Sequence, residues 1–339
     1  MKYLIDPNYV SSVPFNLAPD TLASITGFEL LRKINWVGEP DKEALSKFDG
    51  VDLNLVLSGL FEGEENKPRL KKIGKVKNKN WKIYAFHGGH ENLSKQFKYM
   101  ETNLAKDTNL TRTKIRSQLE VAQRLSSYMD SIVVYHPGIV KRRYKEYRAT
   151  LKNLEFAVRE AENRALIIAV ENTPKSGKGY YIGSDYRDLK KILEKIKSPN
   201  LGVCFDWGHA NNYARTFARE NKRSEDYVRN FGYQKEVIEE LNNKIIYAHI
   251  HYNKSHLRKQ AEEDGDEHLP LTKIPASEIG AYAETIKDLM KKTSIKKHDC
   301  ILLELMPKKV FGFYEFWPTG STREEQYKSL KLLKIMVGK

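Results

Sequence analysis

Cysteine is scarce: Cys204 and Cys300 are the only two in 339 residues. Two isolated thiols give no disulfide framework, and neither has the CxxC neighbour of a thiolate zinc site. Both fall inside apolar runs, which predicts small core residues kept reduced. No apolar stretch approaches the roughly 18 residues that span a bilayer, so no membrane role is expected. The opening segment MKYLIDPNYV has the features of neither a signal peptide nor a transit peptide, and the expected location is cytoplasmic. Repeats, low-complexity tracts and linkers are also missing, which predicts one domain over residues 1–339. Acidic residues are in deficit, 44 Asp+Glu against 58 Lys+Arg, for a formal charge of +14. That balance favours polyanionic partners, but it concerns steering and association and leaves the fold open. Heavy general use of lysine gives the same figure.

Against these absences stands a recurrence. Five apolar runs end in an acidic or histidine side chain: SIVVYHPG at His136, ALIIAVENT at Glu171, LGVCFDWGH at Asp206 and His209, IIYAHIH at His249 and His251, and CILLELMP at Glu304. Strands are predicted at 2–5, 52–58, 82–87, 131–136, 166–171, 201–206, 245–251 and 301–305. Helical patterns lie between them at Thr111–Ser127, Tyr144–Asn163, Tyr186–Ile196, Ser224–Leu241 and Ala276–Lys291, with Gln326–Val337 closing the chain. Near-continuously apolar strands alternating with helices predict an α/β fold, a closed parallel (β/α)8 TIM barrel. Such a barrel takes about 250 residues, and its C-terminal strand ends face the mouth where active sites form. The first strand is the weakest, because residues 7–50 are irregular and carry Pro14, Pro19 and Pro40. The basic segment Lys67–Lys82 lies before a strand, away from the mouth, and reads as a solvated surface loop, with DNA contact as the other option.

Glu171, Asp206 and Glu304 end three different strands in apolar surroundings, where an unpaired carboxylate is expensive. Each must meet a metal, a hydrogen-bond donor, or a Lys or Arg; no strand offers an inward Lys or Arg. Seven of the nine histidines lie in or beside strand ends: His87, His90, His136, His209, His249, His251 and His268. Any one alone reads as a satisfied core or surface histidine, but together with the acids they predict a divalent-metal site. Imidazoles and carboxylates without thiolates suit zinc, manganese or iron better than magnesium. Asp206 and His209, at i and i+3, straddle the strand end and the following loop and could serve neighbouring ions. Asp266 and His268 form a further loop pair.

Basic side chains follow the same strand ends. Lys141, Arg142 and Arg143 come after His136, Lys175 and Lys178 after Glu171, and Lys254, Arg258 and Lys259 after the IHIH run. Each group alone is an ordinary solvated surface; three on one rim point to a phosphate-bearing anion such as DNA. Tyr180 and Tyr181 could stack on an exposed base, although packing tyrosines are commoner.

Over about residues 82–306 the chain resembles the xylose isomerase-like TIM barrels, and within them the endonuclease IV family of metal-dependent apurinic/apyrimidinic endonucleases. The resemblance rests on ENTPKSGKGYYIGSDYRDL from Glu171, GVCFDWGHA from Gly202, HPG at His136, DEH at Asp266, and Glu304 before Met306-Pro307. It implies hydrolysis of a phosphodiester at abasic sites by up to three zinc ions. His87 and His136 would hold the first ion, with Glu171 bridging it to the second and orienting the attacking water. Asp206, Glu304 and one IHIH histidine would complete the second, and His209, Asp266 and His268 the third. His249 is the preferred IHIH ligand, but His251 aligns better with the following Asn253, and both point the same way in a strand. Two stretches depart from the family pattern: LPLTKIPASE follows His268 in place of Gly-Glu-Gly, and Gly88-Gly89-His90 replaces Ala-Pro-Tyr after His87. Both shape the substrate mouth. The competing reading is a sugar or sugar-phosphate isomerase or epimerase, with one metal on Glu171, Asp206, His249 and Glu304 and carboxylates moving a proton. A catalytically silent binding module is the third, and it predicts missing ligands.

Overall fold

Runs rich in Val, Ile and Leu form strands buried on both faces, and a computed structural model shows eight of them. It describes residues 1–5, 47–55, 60–78, 81–89, 101–140, 143–174, 180–254, 267–298, 300–305 and 323–338. The strands are β1 (Lys2–Ile5), β2 (Gly50–Asn54), β3 (Ile83–His87), β4 (Ser131–Tyr135), β5 (Leu166–Glu171), β6 (Leu201–Asp206), β7 (Ile245–Ile250) and β8 (Cys300–Leu303). They are parallel, neighbour one another in chain order, and close into a barrel where β1 pairs with both β2 and β8. The expected α/β barrel is the observed one. The predicted second strand, 52–58, is shifted: pairing begins at Gly50 and ends at Asn54, and residues 56–59 lie outside the described part.

The longer helices are α1 (Leu70–Lys77), α2 (Asn109–Leu125), α3 (Arg143–Glu162), α4 (Tyr186–Lys195), α5 (Trp207–Glu220), α6 (Glu225–Arg229), α7 (Gly232–Leu241), α8 (Ala276–Lys292) and α9 (Arg323–Met336). Three differ from expectation. The basic segment from Lys67 is not a loop: Lys67–Pro68 pairs antiparallel with Phe61–Glu62, and α1 follows because Ile73 and Val76, three apart, bury one face under the lysines. The stretch after Asp206, expected as loop, is helix α5 from its first residue, with the Asp206 side chain as N-cap accepting from His209 N. The predicted helix Ser224–Leu241 is broken into α6 and α7 at Phe231, which takes φ +53°. Its buried ring packs 5.5 Å from the rings of both Trp207 and Tyr282, an aromatic contact that compensates for the left-handed backbone.

One large apolar cluster joins strands to helices, and a smaller one includes Ala85, Val134, Ala169, Cys204, Tyr247 and Leu302. Each of these six precedes a candidate ligand by two positions: His87, His136, Glu171, Asp206, His249 and Glu304. Alternation along a strand puts residues i and i+2 on one face, so the lumen core and the candidate ligands are successive layers of one stack. Both cysteines are buried and unbridged, as expected. Among the described residues no helix is long and apolar enough to cross a membrane.

Candidate metal centre

Glu171 stands in the middle of the C-terminal layer. Its Oε2 lies 3.1 Å from His87 Nε2 and 3.3 Å from His136 Nε2, and its Oε1 is 3.1 Å from His249 Nδ1 and 3.4 Å from His209 Nδ1. His249 Nδ1 is also 3.2 Å from Glu304 Oε2 and 3.7 Å from Asp206 Oδ2. On the far side His251 Nε2 lies 3.1 Å from Asp206 Oδ1. The His268 ring stacks on that of His251 at 4.1 Å, with its Nδ1 3.7 Å from Glu304 Oε2. Three overlapping groups have donor atoms all within 4.8 Å of one another: His87, Glu171 and His249; Glu171, Asp206, His249 and Glu304; and His251, His268 and Glu304. All are buried, and His136, at 12% side-chain exposure, is the most open member of the cluster.

Local structure explains why the motifs are written as they are. Asn172 clamps the ends of β5 and β6 together: its Nδ2 donates to the Asp206 carbonyl at 2.8 Å, and its Oδ1 accepts from Asp206 N at 2.7 Å. Thr173 Oγ1 donates to the Ile182 carbonyl, tying down a small antiparallel ribbon of Ile139–Val140 and Tyr180–Tyr181. Gly138, the glycine of HPG, enters that ribbon at φ +107°, a conformation that a side chain strains. A Cβ on Gly208 would stand 1.9 Å from the His251 ring, so the glycine of DWGH makes room for the imidazole.

The donor set fits a divalent ion. Among the described residues the ion-pair partners of Glu171, Asp206 and Glu304 are histidines, never Lys or Arg. His249 Nδ1 faces three carboxylates yet carries at most one proton, and Glu304 Oε2 is buried without a hydrogen bond. His87 Nδ1 lies 3.2 Å from the Gly88 carbonyl, which makes Nδ1 the donor and turns an Nε2 lone pair toward the Glu171 carboxylate. A lone pair facing a carboxylate calls for a second proton or a cation between them. Burial alone would push the Glu171 carboxyl up, but the imidazoles of His249 and His136 hold it well below the usual range. Asp206 is likewise driven down, against burial, by His209 and His251, and Glu304 by His268 and His249. Burial lowers His249, and its acidic neighbours, Glu171 and Glu304 among them, more than reverse this.

The cluster therefore brings together His87, His136, Glu171, Asp206, His209, His249, His251, His268 and Glu304. Both IHIH histidines enter it, where a single ligand was expected. Asp266, His90, Lys141, Arg142, Lys175, Lys178, Arg258 and Lys259 lie outside the described residues. Arg143 opens α3, and its side chain is not among those described. Lys254 is exposed, with Nζ 3.7 Å from Glu267. Tyr181 is a buried packing residue, at 8% exposure, rather than a free stacking platform. Sequence reasoning passed over Asn172 and Asp52. Asp52 is buried beside the site, accepts a hydrogen bond from Tyr247 Oη at 2.7 Å, and has its carboxyl pushed up by burial. The signal was a charge in the predicted strand 52–58, but it stands at the first position of that run, where a charge is ordinary.

Comparison with known proteins agrees with the barrel fold. A family model described as xylose isomerase-like TIM barrel matches residues 97–302. A probable endonuclease 4 of Mycoplasma mobile is 37% identical over 93 residues, covering 27% of this chain and 32% of that protein. An apurinic-apyrimidinic endonuclease of Caenorhabditis elegans is 29% identical over 164 residues, 47% of this chain and 38% of that one. An uncharacterised Methanocaldococcus jannaschii protein is 30% identical over 165 residues, 46% of each. The chain thus spans less than half the length of these relatives. Among solved structures, a D-tagatose 3-epimerase-like protein superposes with a TM-score of 0.60 at 20% identity, covering 99% of this chain and 97% of that one, a likeness of fold. Matched over more than half its length by that family model, the chain belongs to the xylose isomerase-like TIM barrels.

Proposed function

We propose that the protein is a metal-dependent phosphodiesterase of the endonuclease IV type, cleaving DNA at abasic sites. The observation that carries this reading is the position of Glu171, one carboxyl oxygen toward His87 and His136 and the other toward His209 and His249. A carboxylate with imidazoles on both oxygens is arranged to bridge two ions, and multinuclear sites are the usual devices for in-line displacement at phosphorus. The relatives named as endonucleases, at 37% and 29% identity, support the same choice of substrate. His87 and His136 would hold one ion with Glu171, and Asp206, His249 and Glu304 a second. His209, His251 and His268, joined by Asp266, would surround a third. When bound, zinc (or manganese or iron) would supply a nucleophilic water at neutral pH and charge stabilisation at the phosphoryl oxygens. The chain's own part is to hold Glu171 ionised, orient the attacking water with it, and keep bulk water out through burial of the layer beneath. The basic rim from Lys141, Arg142, Arg143, Lys175, Lys178, Lys254 and Arg258 would bind DNA or another phosphate-bearing anion.

One observation favours a sugar isomerase or epimerase instead: Glu171, Asp206, His249 and Glu304 are mutually close enough to satisfy a single ion. Metal analysis and a cleavage assay on the same preparation separate the two. Two or more equivalents of zinc or manganese per chain, with nicking of a duplex carrying one abasic site, are expected. One equivalent, no nicking, and exchange of solvent deuterium into a ketose would replace the phosphodiesterase with the isomerase.

A further inference from the structure

Beside the candidate ligands the lumen holds one more carboxylate. Asp52, on β2, is 1% exposed, and its Oδ2 accepts the Tyr247 hydroxyl at 2.7 Å. Tyr247 precedes His249 by two residues on β7, its ring standing edge-on to the imidazole at 5.4 Å. The same Asp52 oxygen is 3.9 Å from His249 Nε2, which is buried and makes no hydrogen bond. His249 is therefore turned with Nδ1 toward Glu171, Asp206 and Glu304 and with Nε2 toward Asp52.

From this arrangement we infer that Asp52 is a positioning residue for His249. It selects the tautomer with the proton on Nε2, so that the Nδ1 lone pair is presented to the ion-binding side. A neutral imidazole has one N–H and one lone pair, and the partner of the first nitrogen decides which face the second offers to a metal. The opposite tautomer would point a lone pair at the Asp52 carboxylate and a proton at the place of the ion. The separation exceeds an N–H···O bond by about 1 Å, but in a low-dielectric lumen a carboxylate still orients an N–H dipole across that gap. Tyr247 holds Asp52 in place, because its hydroxyl is committed to the oxygen that faces His249. Asp52 meets His249 on its Nε2 side, while Nδ1 faces Glu171, and so acts through the imidazole. The inference rests on the metal-centre reading and adds to it a supporting carboxylate on β2.

The full chain, labelled with 15N-histidine, tests it with zinc as the probe. Zinc affinity is measured by chelator competition, and the His249 tautomer by long-range 1H–15N correlation in the zinc-loaded protein. The wild type is expected to show the Nε2–H tautomer. Asp52→Ala should weaken zinc binding about 10- to 100-fold and disturb the tautomer. Asp52→Asn, which keeps the acceptor for Tyr247 but removes the charge, should also weaken zinc binding and disturb the tautomer. A purely structural role would be met by Asp52→Asn, with wild-type zinc affinity and tautomer. Because Asp52→Ala leaves the Tyr247 hydroxyl without its acceptor, the pair Asp52→Ala with Tyr247→Phe is the variant expected to fold most readily, and it should bind zinc as weakly. Wild-type zinc affinity and an unchanged tautomer in that pair overturn the inference and leave the metal centre standing. A wild-type protein that binds no zinc overturns both.

Discussion

Glu171 and Gly208 show how much a single position carries. Glu171→Gln keeps the shape of the side chain and removes the charge that His87, His136, His209 and His249 surround. Loss of at least about 100-fold in turnover is expected, the scale of a positioned acid or base, together with loss of bound metal; retained nicking would remove Glu171 from the mechanism. Gly208→Ala puts a methyl 1.9 Å from the His251 ring. Because His87 and His136 lie on the other side of Glu171, the expected result is partial: fewer metal equivalents, read by elemental analysis, with part of the site intact. Most of the acids and histidines were legible because they interrupt an apolar run at the end of a strand. Asp52 was not, because a charge at the head of a run is ordinary, and only barrel closure brings it to His249.

Among the elements, the joint between β5 and β6 is the most informative. Asn172 makes two backbone hydrogen bonds to Asp206, and the same carboxylate caps α5. Asn172→Ala is expected to cost about 1–3 kcal/mol for buried groups left unpaired. Urea titration of the chelated protein reads this, and an unchanged midpoint would show that the clamp contributes nothing. Most strands and helices could be placed from periodicity. Helix α5 was missed because it begins directly at the end of β6, where Asp206 both closes the strand and caps the helix, so the run reads as a strand end and loop. The break at Phe231 was invisible for another reason: it is set by two rings from distant parts of the chain.

For the molecule as a whole, stability without metal is expected to depend on pH in a definite direction. His249 is raised above its ordinary 6.5, so its contribution is complete below that value and is lost as pH rises through the folded-state value. Glu171 and Glu304 are depressed below their ordinary 4.5 and Asp206 below 3.8, so their contributions are complete above those values and vanish only in stronger acid. Chelated protein should therefore melt at lower temperature as pH rises from about 6 to about 9. Zinc-loaded protein should show a widening advantage over the same interval, because protons compete less for the imidazoles. Free zinc at about 100 times its Kd adds about 2.7 kcal/mol per independent site. Calorimetry with and without chelator reads both; parallel curves would argue that the histidines are not ligands.

Strand and helix type, the parallel barrel, and the residue types of a nitrogen- and oxygen-donor site follow from local chemistry: hydrophobic periodicity, β-branching, and acids or imidazoles at strand ends. These are properties of short segments, and a linear reading captures them. Which donors meet is a different matter. Glu171 shared by four imidazoles, the stack of His251 on His268, both IHIH histidines entering one cluster, and Asp52 facing His249 Nε2 depend on strand register and barrel closure. Those bring together side chains far apart in the chain, and no local pattern encodes the distance between them.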